Sequence, residues 1–568
     1  VAEQENWPNI YIDNGDGGVG SLADPYNALS DINWTTGGDN SIFDYYDNSP
    51  TASVTINLKK GGEWRELLTS GADGTDTYRV QVRAYSDGDM PIISGSTLRD
   101  DWEISGTANI YKIIGISVRP QQFFLDDVSG YRQVADDLSK NLDWIWDRDG
   151  EYYDTTVNTV YLYCDTGDPD DEYTKIESSA RAFCIDFNGS YLTIDGIRTR
   201  YCNRNGMGGN EPGSYITIKN CIAEWCWYKG IGPDGQPSGA FNHWIIEDNI
   251  VRYNGIGGIG LNECAGESII RRNQVYENAV APYAQEIFEP PMNFAWGIKC
   301  FEQDQDPGMV GTEIYDNHVH SNGRDMVTEG SAVGIWHDHI LGDTNNRNTI
   351  HHNLIHDNTG NGVFIEIGSN SSVYSNVIYD NGGTLPNGEP AQITLDSRLS
   401  FITEDNHVYN NTCVGGRYGI KVLTYFQNVD CLMRNNLILN NIVAGQSVRA
   451  LFANKGGDND DEYGSGNIYD NNCFGVEFGE FIQWGNLSKL YDTYTDWKTA
   501  HGESWTQIDD DIGGSDPSFT DPDGDDYTLA SDSPCIDAGV NLGPPYNIAL
   551  MPVSDWTDNV VTGDQVDY

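Results

Sequence analysis

The chain is poor in cations: its 568 residues hold 32 Lys and Arg against 86 Asp and Glu, a formal net charge of −54. Nucleic-acid binding needs cationic groups to neutralise phosphates, so that class is excluded, and an anionic membrane surface repels such a chain. Long apolar runs are missing too. Nothing approaches the ~18 consecutive apolar residues of a membrane-spanning helix. The first residues, VAEQENWPNIYIDN, have no basic start followed by an apolar stretch; no signal peptide is expected there, and a start at Val1 reads as a processed, mature chain. No pair of Cys-x-x-Cys units occurs, which argues against a structural zinc site. The 11 cysteines are odd in number and are read mainly as buried thiols filling small core positions, with Cys184, Cys300 and Cys431 inside apolar strand patterns.

A charge excess of this size can keep a chain unfolded. Here 38% of residues are hydrophobic, and 15 Trp, 33 Tyr and 17 Phe require a large folded interior. The 63 glycines, with abundant Asn and Asp, imply many tight turns and weigh against a helical protein. The charge suits a saline or extracellular setting, where repulsion is screened within about 8–10 Å, so a secreted location is expected.

One phrase recurs: YLTIDGI at 191, YITIKNCI at 215, WIIEDNIV at 244, IIRRNQVY at 269, EIYDNHVH at 313, TIHHNLIH at 349, SVYSNVIY at 372, ITEDNHVY at 402 and CLMRNNLI at 431. Its Asn falls at 249, 273, 317, 353, 376, 406 and 435, so the shortest spacing is one coil and the longer ones are coils with inserted loops. A second element follows each phrase: GIGGIGLNE at 255, AWGIKCFE at 295, AVGIWHDH at 332, GNGVFIEI at 360, AQITLDSR at 391 and YGIKVLTY at 418. Short alternating strands stacked at about 4.8 Å, with a corner Asn in the left-handed region bonding to the Asn of the next coil, predict an all-β fold: a right-handed parallel β-helix, or solenoid. One elongated domain is expected over 1–568. Its parts are an N-terminal cap with the first coils (1–100), an elaborated insertion holding DWIWD and VYLYCDTGD (101–180), regular coils with loop insertions (181–475) and a closing segment (476–568).

The stretch carrying Gly61, Trp64, Arg65, Glu66, Ala84, Tyr85, Pro91, Ile92 and Gly95 resembles the opening of secreted bacterial β-helix proteins, among them carbohydrate-active enzymes of the pectate-lyase-like superfamily. SDPSFTDPDGDDYTLASDSPCIDAGVNLG at 515–543 looks like the usual closing segment of such proteins. The resemblance implies a polysaccharide hydrolase or lyase.

Aligning the second element on its Gly-Ile pair stacks residues into columns. Leu261, Cys300, His337, Ile365, Leu395 and Val422 form an inward column. Asn262, Phe301, Asp338, Glu366, Asp396 and Leu423 form an outward one, with carboxylates on three consecutive coils; Gly260, Lys299, Trp336, Phe364, Thr394 and Lys421 form another outward column. Carboxylates one coil apart stand near the separation of a retaining glycosidase, about 5 Å, and two coils apart near the upper inverting limit. Asp338, Glu366 and Asp396 are therefore the candidate catalytic acids, with His339 placed to orient Asp338 or act as a base. Trp336 and Phe364 are candidate faces for sugar stacking. Lys299, Arg398, Glu302 and His337 complete the expected substrate contacts, although an inward histidine is commonly a core residue. Loops 279–296 and 321–331 are expected to shape a groove, and Glu286 and Glu289 are further acids from that region.

A second group, His318, His320, His351, His352 and His356, lies on the neighbouring strand, His320 and His356 sharing a column with Tyr276, Tyr379 and Tyr409. It is read as polar stacking, and no metal ligands are assigned. The acidic loops at 13–18, 458–462 and 521–526 could hold structural Ca²⁺, but none matches a complete twelve-residue calcium loop, and solvated turns are expected. The function expected is an extracellular, monomeric glycoside hydrolase that cleaves a polysaccharide with paired carboxylates and needs no cofactor. The alternatives are a lyase, with Asp338, Glu366 and Asp396 as Ca²⁺ ligands and His339 or His320 as base, and a non-catalytic carbohydrate-binding rod.

Overall fold

The computed structural model describes residues 9–13, 21–23, 25–32, 53–70, 73–132, 138–147, 149, 157–209, 213–233, 241–262, 266–279, 294–302, 309–323, 331–382, 390–398, 401–424, 432–455, 466–485, 489–501 and 512–546. Each regular coil contributes three short strands. The first two run for three or four residues with only the central apolar side chain fully inward, as in Ile269–Arg271 and Gln274–Tyr276. The third is longer, as in Phe294–Phe301 and Ser331–Asp338. Successive coils pair in parallel register, building two 13-stranded sheets and one 11-stranded sheet. The chain is a right-handed parallel β-helix. Its interior is a continuous apolar column in which Ile246, Ile270, Ile314 and Ile350 follow one another and are wholly buried.

The corners explain the recurrent Asn. Asn249, Asn273, Asn317, Asn353, Asn376, Asn411, Asn441 and Asn472 form one ladder, each side-chain amide donating to the next carbonyl oxygen at 2.9–3.0 Å. Asn254, Asn278, Asn322, Asn358 and Asn381 form a second, ending on Gln392. Two expectations are corrected here. The left-handed residue is the one before each ladder Asn, as at Asp248, Arg272, Asp316, His352 and Ser375. Asn406 and Asn435 also leave the series. Ile402–Glu404 and Leu432–Arg434 form an extra two-stranded sheet, so Asn376 bonds Asn411, while Asn406 bonds Asn436 in a separate ladder. Asn435 is the left-handed residue preceding Asn436.

The stretch 101–180 departs from the coil. Asp143–Asp147, the DWIWD segment, pairs antiparallel with Thr159–Tyr163 in a five-stranded sheet. Trp102, Phe123, Trp144, Val160 and Leu162 give it an apolar cluster of its own. Buried Glu177 ties it to the coils, accepting from Arg65 at 2.9 Å and Ser96 at 2.6 Å. Near the other end, Phe519–Asp521 and Asp526–Leu529 pair antiparallel, and Val540 exchanges two hydrogen bonds with Asn440. The nine described cysteines are all buried; Cys431 lies outside the described residues.

Candidate functional site

The third sheet sets the site by register. Phe294–Phe301, Ser331–Asp338, Val363–Glu366 and Ala391–Ser397 stack so that Phe301, Asp338, Glu366 and Asp396 are direct neighbours. Cys300, His337, Ile365 and Leu395, one residue earlier, turn inward because side chains alternate along a strand. Gly334 shows why glycine recurs at this place, which Gln392 and Ala450 take in two later coils. A Cβ at Gly334 would stand 3.0 Å from the ladder amide of Asn358 and 2.6 Å from the Gly362 carbonyl oxygen.

Carboxylates on adjacent strands repel by about 3 kcal/mol at 5 Å and an effective dielectric of 20. Cations interleave to answer this. Lys299 Nζ lies 2.6 Å from Asp338 Oδ2, while His339 Nδ1 lies 2.5 Å from Asp338 Oδ1. Arg398 bridges the other two acids, with Nη1 3.0 Å from Glu366 Oε1 and Nε 2.6 Å from Asp396 Oδ2. Lys299 also sits 3.5 Å from the centroid of the Trp336 ring, a cation–π contact. The three acids are nearly covered, at 6%, 7% and 1% exposure for Asp338, Glu366 and Asp396.

Their surroundings separate their proton affinities. Burial works to raise Asp338, but the His339 hydrogen bond and the Lys299 charge outweigh it and hold this carboxyl below its ordinary value. Burial, then the charges of Asp338 and Asp396, push Glu366 up to about 7 against the opposing pull of Arg398 and Lys299. Burial raises Asp396 to about 6, opposed by Arg398 and Lys421. Neighbouring carboxyls with divergent proton affinities can divide acid and base roles between them.

The remaining expected contacts are placed differently. His337 is wholly buried, its Nδ1 3.3 Å from Ser371 Oγ, and burial lowers it to about 3. This is a core histidine that the strand alternation keeps from the surface. Glu302 is buried one residue past the column, its amide donating to the Asp338 carbonyl at 3.1 Å. Trp336 and Phe364 stack at 5.5 Å and are buried in a cluster with Trp296, Val333 and Ile256, so they are not open platforms. Glu286 and Glu289 lie outside the described residues. Trp296 and Phe401 were missed. Phe401 meets the His339 ring edge-on at 5.8 Å, and Trp296 is marked in the sequence only by its place two residues before Ile298.

The second histidine group is split: His318, His320 and His356 lie on the 11-stranded sheet, whereas His351 ends a strand of a 13-stranded sheet and His352 follows it at the corner, all apart from the carboxylates. Tyr276, His320, His356 and Tyr379 stack ring on ring at 4.6–5.0 Å. Tyr409 is not in that column; it follows Tyr315, His351 and Tyr374 on another sheet, where the extra strand at 402–404 places it. Of the acidic loops, 521–526 forms a short turn between paired strands, Asp13 pairs with Lys59 at 2.5 Å, and 458–462 lies outside the described residues.

No protein-family model matches the chain, and no curated protein matches it. Similar solved structures include XylC in complex with xylose, with a TM-score of 0.56 at 14% identity over 90% of this chain and 87% of that one. A structure described as a glycoside hydrolase has a TM-score of 0.49 at 12% identity, covering 82% of this chain and 96% of that one. The A-module of the Azotobacter vinelandii mannuronan C-5 epimerase AlgE6 has 0.43 at 13%, covering 78% and 98%. At such identities the likeness is one of fold: the chain shares the parallel β-helix of XylC along most of its length.

Proposed function

We propose that this protein is a carbohydrate-active enzyme, and specifically a glycoside hydrolase that cleaves a polysaccharide outside the cell as a monomer. The observation that carries this reading is the adjacent Asp338–Glu366 pair, one carboxyl held ionised and the other raised to about 7. Glu366 is the general acid that protonates the leaving oxygen. Asp338 is the ionised partner, acting as nucleophile at a one-coil separation near 5 Å. Asp396, paired with Arg398, positions the cation that also touches Glu366. The sugar in the XylC structure is consistent with a carbohydrate ligand on this fold.

Calcium does not fit this set. Both oxygens of Asp338 already face Lys299 and His339, and Arg398 spans Glu366 and Asp396, so a divalent ion would enter among cations. Hydrolysis at this site is expected to persist in excess chelator, measured as the rate of reducing-end release.

The same cations favour a second reading, β-elimination on a uronate polymer, because Lys299 and Arg398 lie where a sugar carboxylate would need neutralising. A panel of plant, marine and bacterial glycans distinguishes the two. The hydrolase releases reducing ends with no new ultraviolet absorbance from a conjugated double bond, whereas a lyase produces both. No degradation across the panel would favour the binding rod.

The pH profile tests the roles. The productive form has Asp338 ionised and Glu366 protonated. Rates are therefore expected to hold through mildly acidic pH, to fall only where Asp338 takes up its proton, and to drop as pH rises through about 7, where Glu366 ionises. These limbs belong to the coupled group of acids, not to single residues. An initial rate that keeps climbing above that range would remove Glu366 as the acid.

A further inference from the structure

We propose that His318, His320 and His356 form a binding site for a divalent transition-metal ion of the zinc type, separate from the carboxylate column. A ring nitrogen of each histidine lies within 4.8 Å of those of the other two. Their placement follows from the coil: His318 and His320 stand two residues apart on one strand face, and His356 stacks directly over His320 from the next coil. His318 Nε2 and His356 Nε2 approach to 2.7 Å.

The outer nitrogens supply an independent observation. His356 Nδ1 lies 2.8 Å from Asp357 Oδ2, and His320 Nδ1 lies 3.1 Å from Ser321 Oγ. With Nδ1 of His356 protonated towards a carboxylate, its Nε2 carries the lone pair and faces His318. A carboxylate behind a ligating imidazole fixes its tautomer and orientation and raises its basicity, the arrangement seen around protein-bound zinc. An ion at about 2.0–2.1 Å from each nitrogen holds two ligands about 3.3 Å apart, so the rings need to separate by only about half an ångström to admit it. Imidazole donors select zinc, nickel or copper over calcium and magnesium. Three protein ligands leave a fourth position for water.

The bland alternative is a stack of neutral rings joined by one imidazole–imidazole hydrogen bond, and the experiment decides between them. The full chain is stripped with chelator, dialysed and titrated calorimetrically with Zn²⁺ in excess Ca²⁺, so that the acidic loops are already satisfied by a hard cation. One tight equivalent is expected, lost in His320→Ala and in His356→Ala and weakened about 10–100-fold in Asp357→Asn. No tight equivalent, or the same equivalent in both alanine variants, overturns the proposal. Zinc-edge X-ray absorption on the unmutated protein keeps the test independent of variant folding. Three-imidazole scattering supports the site, and an all-oxygen shell refutes it.

Discussion

Glu366→Gln is expected to lower kcat by about 10²–10⁴-fold, the usual contribution of a positioned general acid. Gln keeps the shape and the neutrality of the protonated side chain but cannot deliver its proton, so the loss falls on the chemical step and KM changes little. Asp338→Asn should cost as much for the opposite reason, by removing the ionised partner. It also leaves Lys299 near the Trp336 ring without the carboxylate it meets at 2.6 Å. That variant therefore needs its fold checked by circular dichroism before its rate is interpreted, whereas Glu366→Gln should fold as the parent does. A second readout separates catalysis from scaffolding. The folded protein holds the Glu366 proton more tightly than the unfolded chain, because its value rises from 4.5 to about 7. More protons are then bound in the folded state between those values, and this contribution to stability falls as pH rises through that window. In Glu366→Gln this component of the pH dependence should disappear, read as a flatter melting temperature against pH. Full activity in Glu366→Gln and in Asp338→Asn would place the chemistry elsewhere.

The columns were legible because two local rules suffice to set them. Side chains alternate along a strand, and a glycine recurs where a Cβ would crowd the corner amide, as at Gly334 against Asn358. From these, Asp338, Glu366 and Asp396 could be stacked correctly from sequence. What depends on other coils was not legible. Trp336 reads as an outward aromatic, yet it is buried in a cluster with Trp296, Val333 and Phe364 and under Lys299, packing that no spacing rule supplies. The Asn series slipped after residue 400 because an added strand carries an Asn of its own, so Asn406 and Asn411 compete for one place in a pattern. At Asn435 and Asn436 a left-handed residue and a ladder residue share one residue type, and only the backbone distinguishes them. Asp357 directly follows His356 in the sequence, but only the stacked coils show that His356 Nε2 then faces His318.

Asn317→Ala is expected to destabilise the protein by about 3–5 kcal/mol, since each buried polar group left without a partner costs about 1–3 kcal/mol. Asn317 is at the middle of its ladder and is fully used. Its amide donates to Asn353 at 3.0 Å and to the Ile270 carbonyl at 2.9 Å, and its oxygen accepts from both the backbone and the side-chain nitrogen of Asn273. The amide also lies 2.9 Å from the Tyr315 carbonyl oxygen, and alanine removes all five interactions in a region closed to water. Asn317→Asp restores the acceptor but not the donor, and sets an ionisable group at a fully buried ladder position. It should be at least as damaging at neutral pH and milder in acid, where the carboxyl is protonated. Stacked coils interact mainly with their neighbours, so unfolding need not be two-state, and a single melting temperature is a poor measure. Hydrogen exchange at the Asn273 amide, which donates to Asn317 Oδ1 at 3.1 Å, reads the ladder directly. Its protection should collapse in Asn317→Ala while distant coils, such as the two that pair Ile56 with Val82, keep theirs. Unchanged protection at Asn273 would mean that the apolar column alone holds the coils in register.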